Sequence, residues 1–274
     1  MMHHFQTVMV FVSSQKNKLK QGILLIGCLF PLLLTNCSDT KKDDYKERSV
    51  EDLYQEAYGF LHKENYEKAA KTFEEIERQH PYSSWAPKSE ILAAYSYYLG
   101  QKYDEAANLL ESFIQIHPSH KDIAYVYYLL GLCYYEQMSG IERDQQMTEL
   151  ALQTFDELIK RFPESTYAKD AKLKMDLILD HLAGREMEIG RFYVSSHQPI
   201  AALNRFKRVV DKFQTTTHVP EALYRMIETY LILGIKEEAR RVGAVLGHNY
   251  PQSIWYKDSY SLLTAPPPLP ENPE

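Results

Sequence analysis

Serine, histidine and cysteine are the residues of this chain that could carry chemistry. Ser83, Ser165 and Ser253 invite a nucleophile reading. They share one context, however: "PYSSWA", "PESTYA" and "PQSIWY", each Pro-x-Ser-x-aromatic. A serine there suits the N-cap of a following helix, its oxygen accepting an amide hydrogen bond. His117 and His120 are three apart, but Pro118 breaks any helix between them, so they do not read as a metal site. There is no glycine-rich phosphate loop, no Cys-x-x-Cys and no His-Glu-x-x-His. Acidic runs such as Glu74-Glu75-Glu77 and Glu237-Glu238 fit solvated helix faces. No catalytic constellation emerges, and the chain reads as a non-enzyme without cofactor or metal. Cysteine remains, at Cys28, Cys37 and Cys133.

Cys37 closes a distinctive N-terminal segment. Gly22 to Thr35 carries no charge and follows Lys16, Lys18 and Lys20. A membrane-spanning helix needs ~20 apolar residues, whereas a run of this length, interrupted by Pro31, fits the apolar part of a signal peptide. Residues 1–36 therefore read as a signal peptide, and the chain as exported. Leu34-Thr35-Asn36-Cys37 resembles the lipobox of bacterial lipoproteins, in which the cysteine receives a diacylglyceryl group and, after cleavage, an acyl group. Asn36 departs from the Gly, Ala or Ser usual in that family. Leu25-Ile26-Gly27-Cys28 fits the letters better, but the apolar run continues beyond it. An ordinary cleaved signal peptide with an incidental Cys37 is the alternative. Two or three acyl chains, at ~0.8 kcal/mol per buried CH₂, hold a protein on a membrane where one barely would. By the same resemblance, a non-Asp residue after the cysteine, here Ser38, directs lipoproteins to the outer membrane, on its periplasmic face. Residues 37–49 then read as a polar tether. Cys133 would be the one free thiol left, expected to be buried and inert in the apolar stretch Leu129–Tyr135.

The formal charge is −6, and three of the lysines lie in the first 36 residues, which hold no acid; the remainder carries −9. Such an acidic body argues against nucleic-acid backbone binding, which needs clustered positive charge.

The body repeats. Ala69, Phe73 and Pro81 recur in spacing as Ala106/Leu110/Pro118 and Ala151/Phe155/Pro163, and more weakly as Ala239/Gly243/Pro251 and Ala202/Phe206/Gln214. Upstream of each alanine stands Ala57, Ala94, Gly131, Gly190 or Ile227, followed three residues later by Phe60, Tyr97, Tyr134, Tyr193 or Tyr230. This resembles the tetratricopeptide repeat, a 34-residue helix–turn–helix. A small residue lets helices A and B approach, an aromatic fills the space beside it, and proline stops helix B. The alanines are 37, 45, 51 and 37 residues apart. The 45-residue step implies a polar, exposed loop at 138–148. The 51-residue step adds 14 residues, or ~3.9 helical turns, which keeps an apolar face in phase along a lengthened helix from about Thr166 to Ser195. Leu173, Leu177, Leu182 and Ile189 are expected on that face. The expected fold is all-α: a superhelical array of five tetratricopeptide-like helix-turn-helix repeats with a lengthened helix between repeats 3 and 4. Residues 50–165 hold repeats 1–3. Residues 166–263 hold repeats 4–5 with a capping helix at Ser253–Leu263. Residues 264–274 form a Pro-rich tail expected to be disordered.

Repeats of this kind line a groove with their A helices, suited to extended peptides. Of the 21 tyrosines, Tyr54, Tyr58, Tyr95, Tyr98, Tyr127 and Tyr128 surround the first three A-helix positions. Some should fill inter-repeat space, and the others would form an aromatic groove.

A lipidated chain of five irregular repeats resembles the BamD family of barrel-assembly lipoproteins, over roughly residues 46–262. The more specific marks are "IHPSHKDIAYVYYLLGLCYYEQM", "RDQQMTELALQTFDELIKRFPESTYAKDA" and "ALNRFKRVVDKF". The resemblance implies a scaffold that binds the POTRA region of BamA, possible contact with other Bam lipoproteins, and help in assembling unfolded outer-membrane β-barrel clients. It implies client recognition by the N-terminal repeats and a BamA interface in the C-terminal half, for which Arg205 and Arg208 are the candidates. A periplasmic adaptor for cell division or peptidoglycan is the alternative.

Overall fold

A computed structural model describes residues 47–264. Cys37, the signal peptide, most of the tether and the Pro-rich tail lie outside the described residues. Among these there are eleven helices and no strand. Five A/B pairs run α1 (Val50–His62), α2 (Tyr66–Gln79), α3 (Ala86–Leu99), α4 (Tyr103–Ile116), α5 (Ile123–Glu136), α6 (Gln146–Arg161), α7 (Thr166–Ser195), α8 (Pro199–Lys212), α9 (Val219–Ile232) and α10 (Lys236–Asn249). The eleventh helix, α11 (Ile254–Thr264), packs on the last pair. The lengthened helix α7 has the bounds expected from the spacing.

Local chemistry sets the helix ends. Ser165 caps α7, its Oγ accepting from the Ala168 amide at 3.1 Å. Ser83 and Ser253 accept from the amides of Trp85 and Trp255, both at 3.2 Å, and so tighten the turns that enter α3 and α11. Ser49 caps α1 through the Asp52 amide, with Glu51 and Asp52 in the first turn favouring the positive end of the helix. In four of the five units the A helix passes to its B helix through a left-handed residue at an equivalent place: Glu64 (φ 57°), Gln101 (58°), His197 (57°) and Gly234 (77°). The third unit replaces this turn with its inserted loop.

The A/B contact is a fit of small against large. A Cβ at Gly131 would lie 2.4 Å from Phe155 Cε1, and one at Gly190 2.3 Å from Phe206 Cε1. Ala57 and Ala94 hold the same place in the first two units, and the partners Phe73, Leu110, Phe155 and Phe206 are all fully buried. In the fifth unit the sizes are exchanged. Ile227 is on the A helix, and Gly243 on the B helix accommodates both Ile227 and Leu263. Above this contact, the Tyr97 hydroxyl donates to Glu74 (2.9 Å) and the Tyr134 hydroxyl to Glu111, equivalent positions on the preceding B helices.

The core falls into three clusters. One joins Leu53, Ala57, Ala69, Phe73, Ile76 and Ala93, the second runs from Ala70 to Leu182, and the third from Ala183 to Leu246. The change between the last two falls in the middle of α7, and Phe213 packs against both.

Two expectations need correction. Leu173 (66% exposed) and Leu177 (60%) do not lie on the buried face of α7. That face is Ala171, Ile178 and Leu182, and at 100° per residue the two leucines point away from it. The buried residues at the start of α7, Ala168 and Ala171, are small, which a search for leucines passes over. The loop expected at 138–148 is shorter, because α6 starts at Gln146. Gly140, Glu142, Arg143 and Asp144 are exposed as expected, but Gln145 is buried: its amide donates to the carbonyls of Gly140 and Arg143, and its Oε1 accepts from Thr148.

Candidate functional site

The A-helix tyrosines separate into three settings. On α3, α5 and the start of α7, one face carries Tyr95, Tyr98, Tyr125, Tyr128 and Tyr167. Tyr167 lies 5.4 Å, ring to ring, from both Tyr125 and Tyr128, stacking on the latter. The Tyr128 hydroxyl donates to Asp170 Oδ2 at 2.6 Å, so the ring is held by stacking and by its tip. Asp170 in turn pairs with Lys174 (3.6 Å), whose ammonium sits 5.1 Å over the Tyr135 ring. Tyr98 meets Tyr103 at 5.7 Å. Burial, then the nearby Glu136 carboxylate, pushes its phenol up to about 12. Burial foremost, and then neighbouring phenols or Asp170, raises Tyr125 and Tyr128 above the ordinary phenol range as well. These hydroxyls are therefore neutral donors at any physiological pH.

Tyr54 and Tyr58 form a second group on α1. Tyr54 stands edge-on to Trp85 (4.8 Å) and Phe73 (5.7 Å) under the Lys88 ammonium (5.3 Å), and Tyr58 is 41% exposed. Tyr127 belongs to neither group. It shares the face of Gly131 and Tyr134, is buried, and takes a hydrogen bond from Arg161, whose guanidinium also covers its ring. It fills space between helices.

Sequence reading missed Tyr125, Tyr167 and Asp170. Tyr125 was legible as three residues before Tyr128, hence on the same face. In the sequence, Tyr167 stands out only as the aromatic of the "PESTYA" capping motif.

Arg205 and Arg208 converge on Glu186, which is only 7% exposed: Arg205 Nη1 meets Oε2 at 3.1 Å and Arg208 Nη1 meets Oε1 at 3.2 Å. The hydrogen bond to Glu186 holds the Arg205 guanidinium above its usual range. With Tyr193, Ala201 and Asn204 the two arginines line a surface pocket of about 370 Å³, their outer faces still part-exposed. The C-terminal A helices otherwise carry paired charges. Arg191 bridges Glu188 and Glu221, and Arg225 bridges Glu221 and Glu228 beneath the rings of Tyr224 and Trp255.

Cys133 is fully buried, and burial pushes its thiol up to about 12, which makes it unreactive. His117 and His120 both pack on Phe113, at 4.9 and 5.3 Å, and among the described residues no cluster suits a metal. Glu90, mostly buried on α3 beside His117, is pushed up to about 7 by burial and then by Glu77. No described helix is long and apolar enough to cross a membrane.

The YfiO family, described as an outer membrane lipoprotein, matches residues 46–246. The chain belongs to the YfiO family. The match takes in the tyrosine face and the Glu186 clamp, and ends before α11. Relatives of this YfiO-family chain include the outer membrane protein assembly factor BamD of Rickettsia prowazekii, 44% identical over 90% of this chain and 96% of the relative. The factor of the same name from Caulobacter vibrioides is 46% identical over 89% and 81%. Among solved structures, the thermophilic TPR protein TTC0263 of Thermus thermophilus aligns with a TM-score of 0.37 at 17% identity, covering 78% of this chain and 98% of that one. The chain is thus an outer-membrane-associated member of a family of assembly factors.

Proposed function

We propose that the chain acts in outer membrane protein assembly as a lipid-anchored, non-enzymatic scaffold on the periplasmic face, held by acyl groups on Cys37. The 44–46% identity to assembly factors, over 96% and 81% of their lengths, carries this reading. The N-terminal tyrosine face of Tyr95, Tyr98, Tyr125, Tyr128 and Tyr167 receives an extended, aromatic-bearing segment of an unfolded β-barrel client. The packed rings of Tyr125, Tyr128 and Tyr167 support that role, because they offer apolar area at small entropic cost. Tyr54 and Tyr58 extend the aromatic surface on α1. The outer faces of Arg205 and Arg208 meet carboxylates on the POTRA region of BamA, with Glu186 fixing their direction; other Bam lipoproteins are further partners.

Affinity capture of the intact protein from detergent-solubilised membranes tests the reading. A barrel protein with POTRA domains should be recovered, and lost when Arg208 is replaced by Gln. Arg205→Gln is less clean, because it weakens the clamp on a buried carboxylate. Recovery of division or cell-wall proteins with no barrel partner would overturn the assembly role.

A further inference from the structure

The chain enters the repeat array at a fastened point. The Arg48 amide donates to Gln79 Oε1 at 2.8 Å, and the Arg48 carbonyl is 2.7 Å from His80 Nε2. The start of α1 is thereby tied to the end of α2, beside the turn Pro81–Trp85. At the tip of that turn Tyr82 is completely exposed. The equivalent position in the other B-to-A turns is Ser119, Glu164, Thr215 or Gln252, all polar. A tyrosine is thus placed in full solvent at the one such turn adjacent to the tether. Because successive helices run antiparallel, the α4–α5 turn lies on the same edge, with Ile116 (62% exposed) and exposed Lys121.

We propose that this edge, led by Tyr82, rests on the phospholipid headgroups of the membrane that holds Cys37; the inference depends on the lipid-anchor reading. The chain from Cys37 to Arg48 spans at most ~40 Å when extended, so the turn beside Arg48 is kept within reach of the bilayer. Tyrosine is suited to the interface, its ring entering the headgroup layer and its hydroxyl staying wet, and a nearby lysine favours anionic lipid. A protein partner for Tyr82 is the competing occupant.

The test uses the full lipidated protein in vesicles of phosphatidylethanolamine and phosphatidylglycerol with brominated acyl chains. Cys133 is buried and Cys37 is capped by lipid, so a fluorophore added to Ser84→Cys labels one site. A second sample is labelled at Lys63→Cys, exposed in the α1–α2 turn on the opposite edge. Bromine should quench the label at 84 at least twofold more than that at 63, and Tyr82→Asp should abolish the difference with helicity unchanged. Equal quenching at the two sites, or a difference that survives Tyr82→Asp, would overturn the contact. Uptake of label by the unsubstituted chain would reveal a free Cys37 thiol, and would overturn the anchor reading together with the contact that rests on it.

Discussion

Gly131 lies so close to the ring of Phe155 that a methyl group on it would come within 2.4 Å of Cε1. Glycine is needed there for close approach and not for backbone freedom, since Gly131 sits inside helix α5. Gly131→Ala should therefore overpack the contact and cost ~1–3 kcal/mol. Gly59 on α1 has nothing within 4 Å of where its Cβ would be. Gly59→Ala should instead add ~0.5–1 kcal/mol through helix propensity. Paired thermal melts would sink the account if both substitutions moved the midpoint the same way.

Removing the large partner tests the same contact from the other side. Phe73 and Phe155 are fully buried on their B helices. Phe73→Ala or Phe155→Ala should cost ~3–5 kcal/mol. An unchanged denaturation curve for either would mean that the repeat register is wrong.

Glu90 makes stability depend on pH. Its carboxyl is raised to about 7 in the folded chain by burial and Glu77. The folded state thus binds this proton more tightly than the unfolded state. Its contribution is fully present below the unfolded value of ~4.5 and is lost as pH rises towards 7. Glu90→Gln should be more stable than the parent by ~1–2 kcal/mol at pH 8, with the gap closing near pH 4. His117 faces Glu90 at 3.9 Å, so the comparison belongs in a His117→Gln background too. A gap that does not change with pH would refute the assignment.

The tyrosine face separates affinity from stability. Tyr128→Phe keeps the stack on Tyr167 but removes the hydrogen bond to Asp170, at a cost of ~1 kcal/mol or more because that acceptor is charged. Tyr167→Ala removes the ring that Tyr125 and Tyr128 share. It should weaken binding of a peptide ending in an aromatic β-strand by ~1 kcal/mol or more, about fivefold or greater, in a calorimetric titration. Tyr127→Phe, on the other face of α5, should leave that titration unchanged. Equal effects at 127 and 167 would remove the case for a binding face.

Much of the fold was legible because the repeat contact is built from residue size at fixed spacing. Gly131/Phe155 and Gly190/Phe206 are visible as letters before they are seen as atoms, and so is the length of α7. The orientation of Leu173 and Leu177 was not legible, because α7 buries small residues and leaves two leucines in solvent. The site was legible in type and less so in membership. A-helix spacing marks Tyr95, Tyr98 and Tyr128, but only three-dimensional packing brings Tyr167 and Asp170 from α7 onto the same face. Glu186 escaped notice because its role depends on two arginines a helix away.

The fastening of Arg48 has a mechanical consequence. Any pull along the tether reaches residue 48, whose amide and carbonyl are both held by the end of α2. Residue 48 is thus bonded to the end of α2 as well as leading into α1, so a load there falls on both helices of the first pair. In the lipid-anchored arrangement proposed above, tension on the tether would reach the first helix pair as a unit and not α1 alone.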